Sequence, residues 1–126
     1  MATYYEKLRD PRWQRKRLEI MERDEFACSW CGDGESTLSV HHGYYAKRRS
    51  PWEYEDLSLH TLCEECHKAA QDTLAKVHRE VGLMHPEYLE ALLPALEHLR
   101  LTCNFPDTME ALKALATYQP PGRVAT

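Results

Sequence analysis

The feature that most constrains this chain is a pair of Cys-x-x-Cys steps, Cys28 to Cys31 and Cys63 to Cys66, separated by 31 residues. Each step lets one turn present two thiolates to one ion. Two steps supply the four ligands of a tetrahedral structural zinc, with Zn–S bonds of about 2.3 Å. A simple zinc ribbon joins its steps through roughly 15 to 20 residues, so this chain holds an insertion between its knuckles, of a length that suits a β-hairpin. Cysteines in a chain without a secretory leader point to metal, because a disulfide framework does not persist in a reducing compartment. Cys103, outside both steps, reads as a small buried apolar residue.

The chain has 126 residues, the size of one domain or a small domain with an appendage. Apolar residues at 43% and charged residues at 29% are ordinary for a folding chain. No run approaches the roughly 20 apolar residues of a membrane span, and the start is polar. The expectation is a cytoplasmic, intracellular protein with no membrane partner. A net charge of −4 argues against coating nucleic acid through bulk charge. The charge is uneven, however, at +2 over residues 1–50 and −6 over 51–126. Lys7, Arg9, Arg12, Arg15, Lys16, Arg17 and Arg23 form one basic cluster, and Lys47, Arg48 and Arg49 another.

Asp10-Pro11 predicts a helix to about Arg23, with Asp as N-cap, Pro in the first turn, and Trp13, Ile20 and Met21 on one face. Leu38 to His42 alternates as a strand should, which places His42 with Leu38 and Val40, and His41 opposite. Both histidines then reach one site only if the strand bends, and Gly43 is where it could. Leu57 to Leu62 reads as a second strand, antiparallel to the first across a basic, aromatic loop and a rigid Pro51-Trp52-Glu53-Tyr54 anchor. His67 to Val81 is predicted helical, with Ala70, Leu74, Val77 and Val81 inward and His67 on that face. Beyond Gly82, Pro86 starts a helix, Pro94 kinks it or starts another, and Asp107-x-x-Glu110 opens a last one to about Tyr118. Leu89, Leu92, Leu93, Leu96, Leu99, Leu112 and Leu115 read as core, and the tail from Pro120 as loose.

The order Cys28-x-x-Cys31, Val40-His41-His42, Leu59-x-x-Leu62-Cys63-x-x-Cys66-His67 resembles the HNH endonuclease family, whose ββα-metal (His-Me finger) site sits between zinc knuckles. The resemblance covers about residues 10 to 70 and includes Arg23-Asp24 and the Pro51 to Tyr54 stretch. It implies an α+β fold: a zinc-stabilised ββα-metal core with an N-terminal helix and a C-terminal helical extension. Residues 1–81 would be the nuclease domain with its basic helix, and 82–126 the extension. It also implies a bacterial or phage origin.

The implied activity is metal-dependent hydrolysis of DNA phosphodiester bonds, leaving 5′-phosphate and 3′-hydroxyl ends. Such cleavage needs a base for water and a divalent ion for the phosphate and the departing oxygen; imidazole suits both tasks at neutral pH. In the family register His42 is the base, and His41 and His67 hold the catalytic ion, Mg²⁺, Mn²⁺, Co²⁺ or Ni²⁺. Zinc at Cys28, Cys31, Cys63 and Cys66 is structural. Two departures stand out. Ser58 occupies the place of the asparagine that braces the loop carrying the base, and Gln71 stands where some relatives have a further histidine. A site with only two imidazoles favours Mn²⁺, Co²⁺ or Ni²⁺ over oxygen-seeking Mg²⁺. Arg12, Arg15, Lys16, Arg17, Lys47, Arg48 and Arg49 are the expected contacts to the DNA backbone. Tyr44, Tyr45 and Trp52 stack on bases or, the favoured reading, pack the loop. His60 faces the cleft or water, and His78, His85 and His98 carry no expected role. The acidic, leucine-rich C-terminal helices offer a surface for a homodimer or a partner protein. The rival to a nuclease is a catalytically impaired, zinc-stabilised nucleic-acid-binding or adaptor module.

Overall fold

A computed structural model describes residues 1–102 and 105–117. The elements are α1 (Tyr4–Lys7), α2 (Pro11–Arg23), β1 (Leu38–His42), β2 (Leu59–Cys63), α3 (Glu64–Leu83), α4 (Pro86–Thr102) and α5 (Phe105–Thr117), with 3₁₀ turns at Pro51–Glu53 and Asp56–Ser58. The chain is therefore mixed α+β, mostly helical, with one two-stranded sheet. It divides into two compact units, Met1–Val77 and His78–Thr126.

Local chemistry accounts for the first unit. Asp10 caps α2 by accepting the Arg12 N–H at 2.8 Å, and Pro11 fills the first turn, where its missing donor costs nothing. Thr3 and Glu6 form a reciprocal capping box at α1, a short helix ahead of the one expected from Asp10-Pro11. β1 and β2 pair antiparallel, with His41 opposite His60 and Val40 opposite Thr61. Trp13, Ile20 and Met21 of α2 pack on Val40, Leu59 and Tyr54, and Ile20 is only 1% exposed. A smaller cluster of Leu62, Cys28 and Cys63, flanked by Leu38, Cys66 and Ala70, lies at the other end.

Several boundaries depart from the sequence reading. β2 begins at Leu59 because the N–H and Oγ of Ser58 both donate to the Glu55 carbonyl, which curls residues 56–58 into a turn. α3 starts at Glu64, directly after the strand, since Glu64 and Glu65 in the first turn suit the positive end of the helix dipole. α4 runs through Pro94 without a break. α5 begins at Phe105, so Asp107 falls inside it and does not start it. The predicted leucine core of the second unit is not formed among the described residues: Leu93, Leu96, Leu112 and Leu115 are exposed, and Leu89, Leu92 and Leu99 half-buried. Among the described residues the buried apolar ones lie between Trp13 and Cys63, where a sheet gives the helix a surface to cover. Cys103 and the tail from Pro120 lie outside the described residues.

Candidate metal centre and histidine cleft

The four cysteines come from three elements and meet at one point. Cys28 and Cys31 sit on the turn after α2, Cys63 ends β2, and Cys66 lies in the first turn of α3. The first knuckle is tied to the sheet by Ser29, whose N–H and hydroxyl both donate to the Thr61 carbonyl, at 2.8 and 2.9 Å. Gly32, at φ 82°, closes the turn with its N–H on the Cys28 carbonyl.

All four Sγ atoms lie within 4.8 Å of one another, and Cys31 Sγ is 3.8 Å from Cys63 Sγ. A tetrahedron with bonds of about 2.3 Å has an edge of about 3.8 Å, so the cage is the right size for a metal ion. The backbone N–H of Cys31 faces Cys28 Sγ, and that of Cys66 faces Cys63 Sγ, each at 3.5 Å. Burial opposes ionisation of Cys28, but the N–H groups of Cys31, Cys63 and Trp30 outweigh it and bring its thiol down to about 6. Burial and the neighbouring thiols push Cys66 up. Four thiolates this close repel one another unless a cation joins them. These cysteines are the one group of three or more metal-ligating side chains so gathered among the described residues.

The histidines follow the strand pleat. β1 does not bend at His42, because the Gly43 N–H continues the pairing to the Ser58 carbonyl at 2.8 Å. A Cβ at Gly43 would stand 3.2 Å from that oxygen, so glycine permits the close approach and provides no hinge. His41 and His42 consequently face opposite sides of the sheet.

His42 is 4% exposed and lies between two rings, Trp13 at 5.0 Å and Tyr45 at 5.3 Å, both nearly parallel to it, with Tyr54 edge-on at 4.9 Å. Its Nε2 is 3.1 Å from the Pro51 carbonyl. A carbonyl only accepts, so Nε2 carries the proton and Nδ1 keeps its lone pair. Burial holds the His42 pKa below its usual value, against the opposing pull of that carbonyl. The Pro51–Glu53 turn, capped by Ser50 N–H donating to Glu53, fixes the carbonyl in place.

His41, nearly as buried, faces α3. Its ring lies 5.2 Å from that of His67, while Ser39 Oγ is 3.3 Å from His67 Nδ1. Burial first, then His67, His60 and His42, lower the His41 pKa. A cavity of about 250 Å³ is lined by Ser39, His42, His67, Gln71, Arg17 and Tyr45, among others. Ser39 and His42 belong to opposite faces of β1, so this cavity opens along the strand's free edge. His67 joins the two sides there, beside the His41 ring and in one cavity with His42. Two imidazoles at this spacing could fill two positions around a divalent ion, with the remaining positions open to water or phosphate.

Ser58 does not aim its side chain at the histidines; its hydroxyl bonds Glu55, and only its carbonyl meets the histidine segment, at Gly43. The basic residues divide into committed and uncommitted groups. Arg12 grips Asp10 and lies over Trp52 at 4.1 Å, Lys16 pairs with Asp56, and Arg49 bonds Tyr44 and Glu55. Arg17 lines the cavity, whereas Arg15, Lys47 and Arg48 stand exposed with no ion pair among the described residues.

Two features escaped the motif reading. His60 stands opposite His41, with which it lines a second cavity; this was visible only once the register was known. Arg23 and Asp24 clamp α2 to the sheet: Arg23 donates to the Asp56 and Leu59 carbonyls at 2.7 and 2.6 Å, and Asp24 accepts the Thr61 N–H at 3.0 Å. No helix among the described residues is long and apolar enough to cross a membrane. Comparison with protein-family models, with curated proteins and with solved structures finds no match to the chain.

Proposed function

We propose that this protein is a metal-dependent HNH endonuclease that hydrolyses DNA phosphodiester bonds, with zinc at the four cysteines as a structural ion. The observation that carries the reading is the way His42 is held. A general base must be neutral at working pH, present a free lone pair, and keep its orientation while a proton arrives. Burial favours the neutral ring, the Pro51 carbonyl selects the tautomer, and Trp13 and Tyr45 restrain the plane. Nδ1 of His42 would take the proton of the attacking water, and the Pro51 carbonyl would stabilise the imidazolium that results.

His41 and His67 would hold the catalytic divalent ion, which when bound polarises the phosphate and stabilises the departing 3′-oxygen. Ligation through Nε2 of His67 needs a proton on Nδ1, and Ser39 Oγ is placed to accept it. Arg17, on the wall of the same cavity, would meet a phosphate oxygen. Arg15, Lys47 and Arg48 would add backbone contacts that carry no sequence information.

A second reading, a nucleic-acid-binding or adaptor module that has lost catalysis, is favoured by Ser58, whose hydroxyl is spent on Glu55 and gives the histidine segment no side-chain bond. Supercoiled plasmid separates the two. Zinc-loaded protein is incubated with Mg²⁺, Mn²⁺, Co²⁺ or Ni²⁺ in turn, beside His42→Ala and His67→Ala variants matched for zinc content and circular dichroism. Relaxed or linear DNA that needs the added ion and disappears in both variants supports the nuclease. Retained DNA binding with no cleavage under any ion supports the binding module.

A further inference from the structure

A cavity of about 420 Å³ in the first unit, larger than the one beside His42, lies beside the sheet face that carries His41 and His60, and of the proposed catalytic and metal-binding residues only His41 reaches it. Leu62, Leu74 and Val77 form its apolar wall, and Trp30 stands on its rim. Trp30 is 60% exposed, an unusual state for the largest apolar side chain, and its indole makes no ring contact or hydrogen bond among the described residues. No Lys, Arg, Asp or Glu lines this cavity, whereas Arg17 lines the smaller one. The two cavities thus differ in chemistry, one suited to phosphate and one to a flat, uncharged ring.

We infer that the larger cavity receives an unpaired nucleobase of single-stranded DNA, stacked on Trp30 with its polar edge toward His60 and Thr73. The placement of the adjoining phosphate rests on the reading above, because His41 lines this cavity while its ring lies 5.2 Å from that of His67. A nucleotide whose phosphate lies at those two rings has its base beside the opening. Bases in a duplex are stacked on one another and cannot enter, so the cavity selects strands that are unpaired or locally opened. Imidazole and hydroxyl groups each donate and accept. They therefore satisfy the edge of any base, and stacking tolerates all four, so the site selects single strands without reading their sequence.

The test measures binding of a labelled oligothymidylate and of a hairpin duplex by fluorescence anisotropy, using the full zinc-loaded chain at low salt with no second divalent ion. Trp30→Ala removes the stacking face, and Val77→Trp fills the cavity from α3 without touching the knuckle. Each is expected to weaken single-strand binding about 5- to 100-fold, the range that loss of one stacked base produces. Trp30→Phe should keep most of it, and duplex binding should not change. The inference is overturned if the wild-type chain ignores oligothymidylate, if either variant binds it as the wild type does with zinc and fold intact, or if both DNA forms lose affinity equally. His42-dependent plasmid nicking with Trp30-independent binding would reject the cavity and spare the nuclease. Trp30-dependent binding without nicking would do the reverse.

Discussion

His42 and Asp24 show how much of this unit depends on single polar groups held in apolar surroundings. With its pKa lowered by burial, His42 stays neutral below the ordinary value of about 6.5. Nicking that depends on it should therefore hold its rate as the pH falls through 6.5 and decline only lower, when the ring protonates; a rate that halves at or above pH 6.5 would contradict this. Asp24, mostly buried, receives the Thr61 N–H inside the fold. Burial works against its charge, but Arg23 and Thr61 prevail and hold its pKa below the usual range. Asp24→Ala leaves that N–H without an acceptor, which costs about 1 to 3 kcal/mol. Urea unfolding should move by that amount, while the zinc content of the folded fraction stays the same.

Among the elements, α2 and the hairpin make one packing unit. Ile20, fully enclosed between helix and sheet, is its centre. Ile20→Ala should destabilise the chain by about 2 to 5 kcal/mol, because a cavity among Trp13, Val40 and Leu59 cannot collapse against a clamped helix. Chemical denaturation checks this, and a loss under about 1 kcal/mol would mean that α2 is not held as described. The alternation of β1 was readable from Leu38 to His42, and so was the consequence that neighbouring histidines face apart. What could not be read was that a strand with a free edge lets both faces contribute to one cleft. The Asp10-Pro11 start and the Cys-x-x-Cys turns were legible because a few adjacent residues dictate them. The 56–58 turn was missed because Leu57 and Leu59 fit a strand pattern equally well, and only the Ser58 bonds to Glu55 decide it.

At the scale of the molecule, the buried core of the described residues is small, and an ion held by the four cysteines would add to its stability. Removing zinc with a chelator at neutral pH should unfold the first unit, seen as lost helical dichroism and lost protection of the sheet amides. Added zinc should restore both; a chain that keeps its sheet after verified metal loss would count against a structural role. Acid acts in the same direction through the histidines. His41 and His42 both have lowered pKa values, chiefly through burial, so below about pH 6.5 the unfolded chain binds more protons than the folded one. Stability is therefore complete above 6.5 and is lost as the pH falls through the lowered values. Urea midpoints between pH 7.5 and 5, with zinc content followed in parallel, should show this fall, and a rising midpoint would refute it.

The sequence by itself determined the two Cys-x-x-Cys steps, the N-cap of α2, the pleat of β1 and the faces of its histidines, because each depends on residues no more than four positions apart. It misjudged the leucines after Gly82, since helical periodicity reports which residues share a face and not whether anything covers it. Only the tertiary structure decided that the sulfurs of the two knuckles meet, that Pro51 holds His42 and that His60 stands opposite His41. Those contacts join residues from different elements or turns. Their geometry follows from strand register and chain reversal, which no local pattern encodes.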